Sequence, residues 1–501
     1  MKRSAFLALA LAALSVGLVI AAHGYLLGTA DRVDFRETVY AGDASAVEGV
    51  TLTARQSAGR QLYWDSTLPL AAPERASTSF TARSLKKPEE NWYVPSGLRM
   101  YFTLGGVGYS FGESGVDTDG LQRAYWLHWD GEAEAILAVA ERTGAGETRR
   151  ETLRIRDYTE YIPLIVDLDF GEATVVYWHD TFYSAGDMQD DLARRFNGYF
   201  RFPVPEDAEL TVEVTKNSRG MVTELRTESN VENNDLDTDS VVTDGKCWFT
   251  VQGIGDKDLD FSAVPGGRGL YCLPFTPRDD ARNAVNVDFD AMHVAFPLRE
   301  DEYPVALYDG ENGMLLLALR TEEGADLVML DTETERVLQR FTLFGEEIED
   351  ANGWVFCPRG NQLYAACDTR VQYYERGADG FYTLLLDAPN GAKNVLPEET
   401  AYRTYLTPSA LAWDGERLAV VTASTSGSRY DHGNAAGALL LTVYDQTGLR
   451  YCATLESGVM WPGTNSFQNR VFWGEYDAVT EDMLMLGFKR AETSEIQPGV
   501  V

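Results

Sequence analysis

Two stretches of the chain carry side chains whose types and spacing could do chemistry. In NNDLDTDSVVTDG, Asp235, Asp237 and Asp239 set carboxylates at alternate residues, and carboxylate oxygens are the ligands that Ca²⁺ takes. Measured against the calcium-loop pattern, Ser240 stands at the sixth position, where glycine belongs. Lys246 stands at the twelfth, where a bidentate glutamate belongs. Asp117-Thr118-Asp119-Gly120 and the trio Asp256, Asp258 and Asp260 are shorter versions of the same spacing, and solvated acidic turns are the competing reading. The second stretch is the insert Ser424 to Gly437, which brings Arg429, Tyr430, Asp431 and His432 together. A histidine on a loop over a rigid β scaffold is placed for binding or proton transfer. No second histidine or cysteine lies near it in sequence, so a solvated loop histidine is the alternative. His128 in YWLHWD and His179 in VVYWHD sit among aromatic residues, either as parts of a sugar-stacking platform or as core histidines.

No Gly-x-Ser-x-Gly elbow, phosphate loop or His-Glu-x-x-His helix is present. Carboxylate pairs for glycosidic chemistry need a defined separation, and 77 acidic residues nominate no particular pair. No catalytic residue is therefore assigned, and no cofactor beyond the possible Ca²⁺. The net charge of −34 repels nucleic-acid backbones and anionic headgroups over a Debye length. Nucleic acid is excluded as a partner class. Five cysteines, Cys247, Cys272, Cys357, Cys367 and Cys452, are few and odd in number for an exported chain and read as buried free thiols. Hairpin pairing around PRGNQ is expected to place Cys357 near Gln362, so that Cys357 and Cys367 do not face each other.

The elements that must position these groups are strands. From Pro304 to Leu343 the chain gives four short apolar runs, Pro304 to Tyr308, Met314 to Leu319, Leu327 to Leu330 and Val337 to Leu343, separated by DGENG, RTEEG and DTETE. Gly and Asp between such runs supply the tight turns of an antiparallel meander. Four strands in about 40 residues is the size of one propeller blade. Hairpins with Asp-Gly or Arg-Gly turns recur in VVTDGKCWFTV, VALYDGENGMLLLAL, WVFCPRGNQLYAAC and LAWDGERLAVVTA. A second hairpin follows in LVMLDTETERVLQRF, VQYYERGADGFYTLL and LLTVYDQTGLRYCATL. Upstream, AELTVEVTK and GMVTELRTES read as a hairpin, Ala133 to Arg142 as a strand, and Asp187 to Phe196 as the best helix candidate.

The second hairpin resembles the outer hairpins of quinoprotein-like and surface-layer-type β-propellers, in which Asp, then Thr-Gly, then an apolar run follow a strand. Asp445-Gln446-Thr447-Gly448 matches that pattern. Asp331 with Thr334 matches it except that Glu335 stands where glycine is expected. The chain also resembles membrane-anchored propeller proteins of bacteria. The resemblance covers roughly Val241 to Phe488 and implies a propeller; with earlier blades built from Gly97 to Ser240, the strand and turn pattern gives an all-β propeller of about seven blades, six to eight in range, over 97–490, with a two-sheet sandwich as the alternative. Residues 31–90 read as a small β region, either a spacer or strands that complete the ring.

Residues 1–30 fix the expected address. Lys2 and Arg3 precede an uncharged run from Ser4 to Ala30, long enough to cross a bilayer with the body outside the cytoplasm. A cleaved signal peptide, ending at Ala22-His23-Gly24 or Gly28-Thr29-Ala30, is the alternative. The expected function is an extracytoplasmic, membrane-tethered binding or scaffold module for an envelope protein or glycan. The alternative is a carbohydrate-active enzyme with its site in the propeller funnel.

Overall fold

The computed structural model describes residues 2–30, 35–58, 62–82, 97–101, 108–118, 120–121, 130–162, 164–169, 175–178, 181–183, 195–231, 236–253, 259–277, 284–345, 353–401, 408–423, 438–457 and 484–488. The chain divides into two compact units. One comprises Met1–Glu90 with Ile348–Val501, the other Asn91–Glu347. Both are mostly β, built chiefly from antiparallel pairings with several four-stranded sheets; Val175–Trp178 and Ala284–Val287 pair in parallel.

In the Asn91–Glu347 unit the four apolar runs become strands Tyr303–Asp309, Met314–Thr321, Gly324–Asp331 and Val337–Phe344, joined in sequence order in one sheet. The preceding sheet pairs Leu236–Thr243 with Lys246–Gly253, then Gly269–Pro277, then His293–Pro297. Lys246–Gly253 reads as a continuous apolar run because it is buried on both faces. Cys247, Phe249 and Val251 join the core that holds Tyr271 and Leu273. Trp248, on the opposite face, packs with Leu270, Cys272, Leu315, Leu317 and Leu319. The two-residue period of a strand thus lets one strand serve two cores.

The expected hairpin Glu209–Lys216 with Val222–Ser229 is present and pairs further with Thr148–Arg154. Asp130–Arg142 is an α-helix, which corrects the strand expected over Ala133 to Arg142. Ala135, Ile136, Val139 and Ala140 are fully buried at helical spacing, and Thr143 Oγ1 caps the end by donating to the Val139 carbonyl. Ala- and Glu-rich composition and a period near 3.6 outweighed the flanking glycines. Of the Asp187 to Phe196 helix candidate only residues 195–196 are described, in the helical turn 195–199.

In the other unit, strands Trp354–Arg359, Gln362–Cys367, Arg370–Arg376 and Tyr382–Pro389 form a second four-stranded meander. Cys357 lies opposite Tyr364 and Trp354 opposite Cys367, because the turn centres on Gly360 and Asn361. This corrects the register expected around Gln362. All five cysteines are buried and none is in a disulfide. The sheet of Ala410–Trp413, Leu418–Ala423, Ala438–Asp445 and Gly448–Ser457 takes Phe35–Ala41 as its fifth strand. Val50–Ala58, Leu62–Pro69 and Ser77–Ala82 are joined in turn by Leu484–Phe488. Leu52 and Leu68 of that sheet pack with Leu439, Leu441 and Leu455 of the five-stranded one. The chain opens with the α-helix Lys2–Ala30, whose side chains are described over residues 10–24 and are exposed there. Among the residues whose side chains are described, 10–24 in this helix, no helix is long and apolar enough to cross a membrane.

Candidate functional site

The residues nominated from sequence are placed as follows. Arg429, Tyr430, Asp431 and His432, like His128, His179 and Asp235, lie outside the described residues. Asp237 and Asp239 sit on the Leu236–Thr243 strand, where alternate residues recur on one face about 6.6 Å apart. The Asp239 carboxylate accepts from the backbone N–H groups of Ser240 and Leu307, stitching this strand to the next sheet.

The structure draws together a different set, in the Asn91–Glu347 unit. Residues directly opposite on paired strands share a face, and two such pairings run in line. Trp248 lies opposite Cys272, and Cys272 opposite His293. This row crosses three strands and faces the neighbouring sheet. From that sheet, the turn between Gly324–Asp331 and Val337–Phe344 brings Glu335 to the end of the row. His293 Nε2 lies 2.8 Å from Glu335 Oε2. One donor atom each of Cys272, His293 and Glu335 fall within 4.8 Å of one another. Lys246, two residues before Trp248 on the same face, donates from Nζ to the Thr332 carbonyl at 2.6 Å and to Glu335 Oε1 at 3.2 Å. The same ammonium lies 4.9 Å from the Trp248 ring centroid, in cation–π range.

Local chain geometry holds each group. The short 3₁₀ turn Phe289–Ala291 is capped by Asp288, whose side chain accepts from Ala291 N. The Ala291 carbonyl in turn lies 2.8 Å from His293 Nδ1. A carbonyl only accepts, so Nδ1 carries the proton and Nε2 is the atom directed at Glu335. Glu335 itself has φ +57°, in the left-handed region. Asp244, Glu311, Asn312 and Glu335 are the described non-glycine residues with positive φ, and they belong to three turns tied together. Thr332 Oγ1 donates to Asp244 Oδ2 at 2.8 Å, and Thr332 N to the Gly313 carbonyl at 2.8 Å. Backbone strain collected at one place is a mark of function, because surrounding structure must over-determine it.

Protonation follows from these contacts. Burial pushes the Cys272 thiol up to about 12, with Lys246 pulling against it and Glu335 adding to it. Burial alone would raise the Glu335 carboxyl, but hydrogen bonds from His293 and Lys246 hold it below its ordinary value. Burial opposes charge on His293, yet the Ala291 carbonyl and then Glu335 outweigh it and keep the imidazole protonated above its usual range. The arrangement can therefore hold charge and ligate.

Sequence reasoning passed over this cluster because its members lie far apart in the chain and meet only through strand register. One signal was visible: Glu335 at a position where the hairpin pattern wants glycine.

No protein-family profile matches the chain. No curated protein is similar to it. Among solved structures, the periplasmic gluconolactonase PpgL of Pseudomonas aeruginosa aligns at 11% identity and a TM-score of 0.26, covering 81% of this chain and 95% of that one. The Pan2 WD40 domain of Neurospora crassa aligns at 9% identity and 0.20, covering 55% and 64%. A chain of a mitotic checkpoint complex aligns at 10% and 0.18, covering 42% of this chain and 58% of its own length. Similarity at this level assigns no residue a role.

Proposed function

We propose that this protein is a non-catalytic binding module, a β-propeller whose blades are the four-stranded sheets, held at a membrane by the helix Lys2–Ala30 with its body outside the cytoplasm. The blade reading is supported by sequence-order meanders and by apolar side chains that fill the space between consecutive sheets within each unit. The tether is supported by exposed Leu11, Leu14, Val16, Leu18, Val19 and Ile20, on a helix uncharged from Ser4 onward.

One observation carries the choice of binding over catalysis. Where reactive side chains converge, at Cys272, His293 and Glu335, their surroundings hold the thiol protonated, shift the imidazole towards its charged form and tie the carboxylate to Lys246 and His293. General-base and nucleophilic chemistry need the opposite states at neutral pH. Strained turns that present fixed charges suit recognition. With a net charge of −34, electrostatic complementarity favours a basic partner surface, with faster association at low salt.

The test uses full-length protein in detergent micelles against a panel of basic peptides and envelope glycans, beside a turnover screen on glycosides. Binding that weakens in Glu335→Gln and with rising salt, without turnover, supports the module. Turnover lost in Glu335→Gln overturns it in favour of a carbohydrate-active enzyme.

A further inference from the structure

Cys272, His293 and Glu335 differ in kind as donors: a sulfur, an imidazole nitrogen and a carboxylate oxygen. Their atoms fall within 4.8 Å of one another. Two ligands of a tetrahedral zinc-class ion stand about 3.3–3.8 Å apart for metal–ligand bonds of about 2.0–2.3 Å. The His293–Glu335 contact, at 2.8 Å, is slightly closer than that edge. Side-chain rotations of an ångström or so therefore open the triangle to an ion, with no change of strand register.

A second observation is independent of those distances. A ligating histidine characteristically donates its other ring N–H to a backbone carbonyl or carboxylate, which fixes the tautomer and aims the remaining lone pair. His293 does this through Nδ1 and the Ala291 carbonyl, itself held by the Asp288-capped turn. Glu335 is likewise oriented from behind, its other oxygen held by Lys246. Glu335 occupies its place at the cost of a left-handed backbone, in a turn whose pattern would otherwise take glycine. The sulfur side of the triangle is dry, against Trp248 and the leucines of Met314–Thr321. The histidine side is open, with the His293 side chain 45% exposed, which supplies an entry path.

We propose that Cys272 Sγ, His293 Nε2 and a Glu335 oxygen form a binding site for a zinc-class divalent ion, with the fourth position on the solvent side. The proposal rests on reading this cluster as a binding locus and names its ligand. On binding, the ion displaces the thiol proton and the proton of Nε2 to solvent, so two charges arrive and two protons leave. Lys246 stays as the cation behind Glu335, so the site's net charge is the same before and after the ion binds. The mixed sulfur, nitrogen and oxygen set favours Zn²⁺ or Co²⁺ over Ca²⁺ and Mg²⁺, which take oxygen ligands.

The experiment strips the full-length protein with a chelator in detergent and adds Zn²⁺ or Co²⁺ alone. The expected result is one equivalent of zinc retained after desalting, and a near-ultraviolet thiolate-to-cobalt band that is absent in Cys272→Ser. Glu335→Gln and His293→Gln are each expected to weaken zinc by at least about tenfold, the scale seen when even an outer-shell partner is lost. His293 is exposed, so its substitution leaves the core intact, and a zinc affinity unchanged in His293→Gln overturns the proposal. So does a cobalt spectrum without the thiolate band. Peptide and glycan binding is measured on the stripped protein as well. Partner binding without metal uptake sinks the ion and leaves the binding module standing.

Discussion

Glu335 sits at φ +57°, at the place where Gly448, with φ +121°, closes the matching turn after Asp445. Two substitutions remove its carboxylate, and only one of them removes the strain. Glu335→Gln keeps a Cβ in the left-handed region, which costs roughly 1–2 kcal/mol. Glu335→Gly relieves that cost, while the added freedom of glycine in the unfolded chain takes back about 0.4–1 kcal/mol. The contacts to Lys246 and His293 are partly solvated and contribute about 0–1 kcal/mol each; their charge component is lost in both variants, while the glutamine carbonyl can still accept one hydrogen bond, which narrows the gap. Glu335→Gly is therefore expected to be more stable than Glu335→Gln by about 0.8 kcal/mol within a range of about 0–1.6, or roughly fourfold in local opening at the midpoint. Hydrogen exchange of Gly324–Asp331 and Val337–Phe344 by mass spectrometry reads this difference directly. Equal protection, or better protection in Glu335→Gln, would refute the claim that the backbone there is strained. The inference that glutamate is kept for its chemistry would fall with it.

Glu302 is 1% exposed and accepts from Arg299 and Arg340, both at 2.7 Å. Arg340→Met removes one of the two guanidinium partners of the buried Glu302 and is expected to cost about 1.5–3 kcal/mol, since Arg299 stays bonded to it; Arg299, 63% exposed, should cost about 1 kcal/mol or less when changed to Ala. Urea denaturation of the two variants checks the contrast. Burial would raise the Glu302 carboxyl, but the Arg299 N–H and the Arg340 and Arg299 side chains hold it below 4.5. Its stabilisation is thus present above the ordinary carboxylate value and is lost as pH falls through the folded value. The acid limb of a urea-midpoint titration should flatten in Arg340→Met. His293 has the opposite sign, because its folded value is raised above 6.5. Its contribution is complete below that value and fades as pH rises through the folded one. An NMR titration should show this raised midpoint falling in Glu335→Gln.

The sheets were legible because local chemistry specifies them. Asp244-Gly245, Gly310 and Gly360 fall in hairpin turns between apolar runs, and the four strands from Tyr303 to Phe344 appear where those runs predicted them. Ala133 to Arg142 was misread because flanking glycines were given more weight than a 3.6-residue apolar period. The Cys272–His293 pairing was not legible. It depends on a register set by a shift between Leu270 and Tyr271, and a one-residue slip would send the two side chains to opposite faces. Of the acidic repeat, Asp237 and Asp239 fall on a strand paired in a hairpin with Lys246–Gly253, whereas the Asp239 contact to Leu307 N depends on a residue far along the chain.

The two ends of the described fold are woven into shared sheets, Phe35–Ala41 beside Gly448–Ser457 and Val50–Ala58 beside Leu484–Phe488. The Tyr451 hydroxyl donates to the Glu37 carboxylate across a sequence separation of 414 residues. On the ribosome, the strands made first must therefore wait, edges unpaired, for strands made among the last. Closing so long a loop costs only slowly growing entropy, but it delays completion and leaves template edges open to other chains. A product cut short before Gly448 would leave Phe35–Ala41 without its partner and Val50–Ala58 with one edge open beside Leu62–Pro69. Chains cut before Gly448 should therefore expose unpaired strand edges of the kind that invite pairing with other chains.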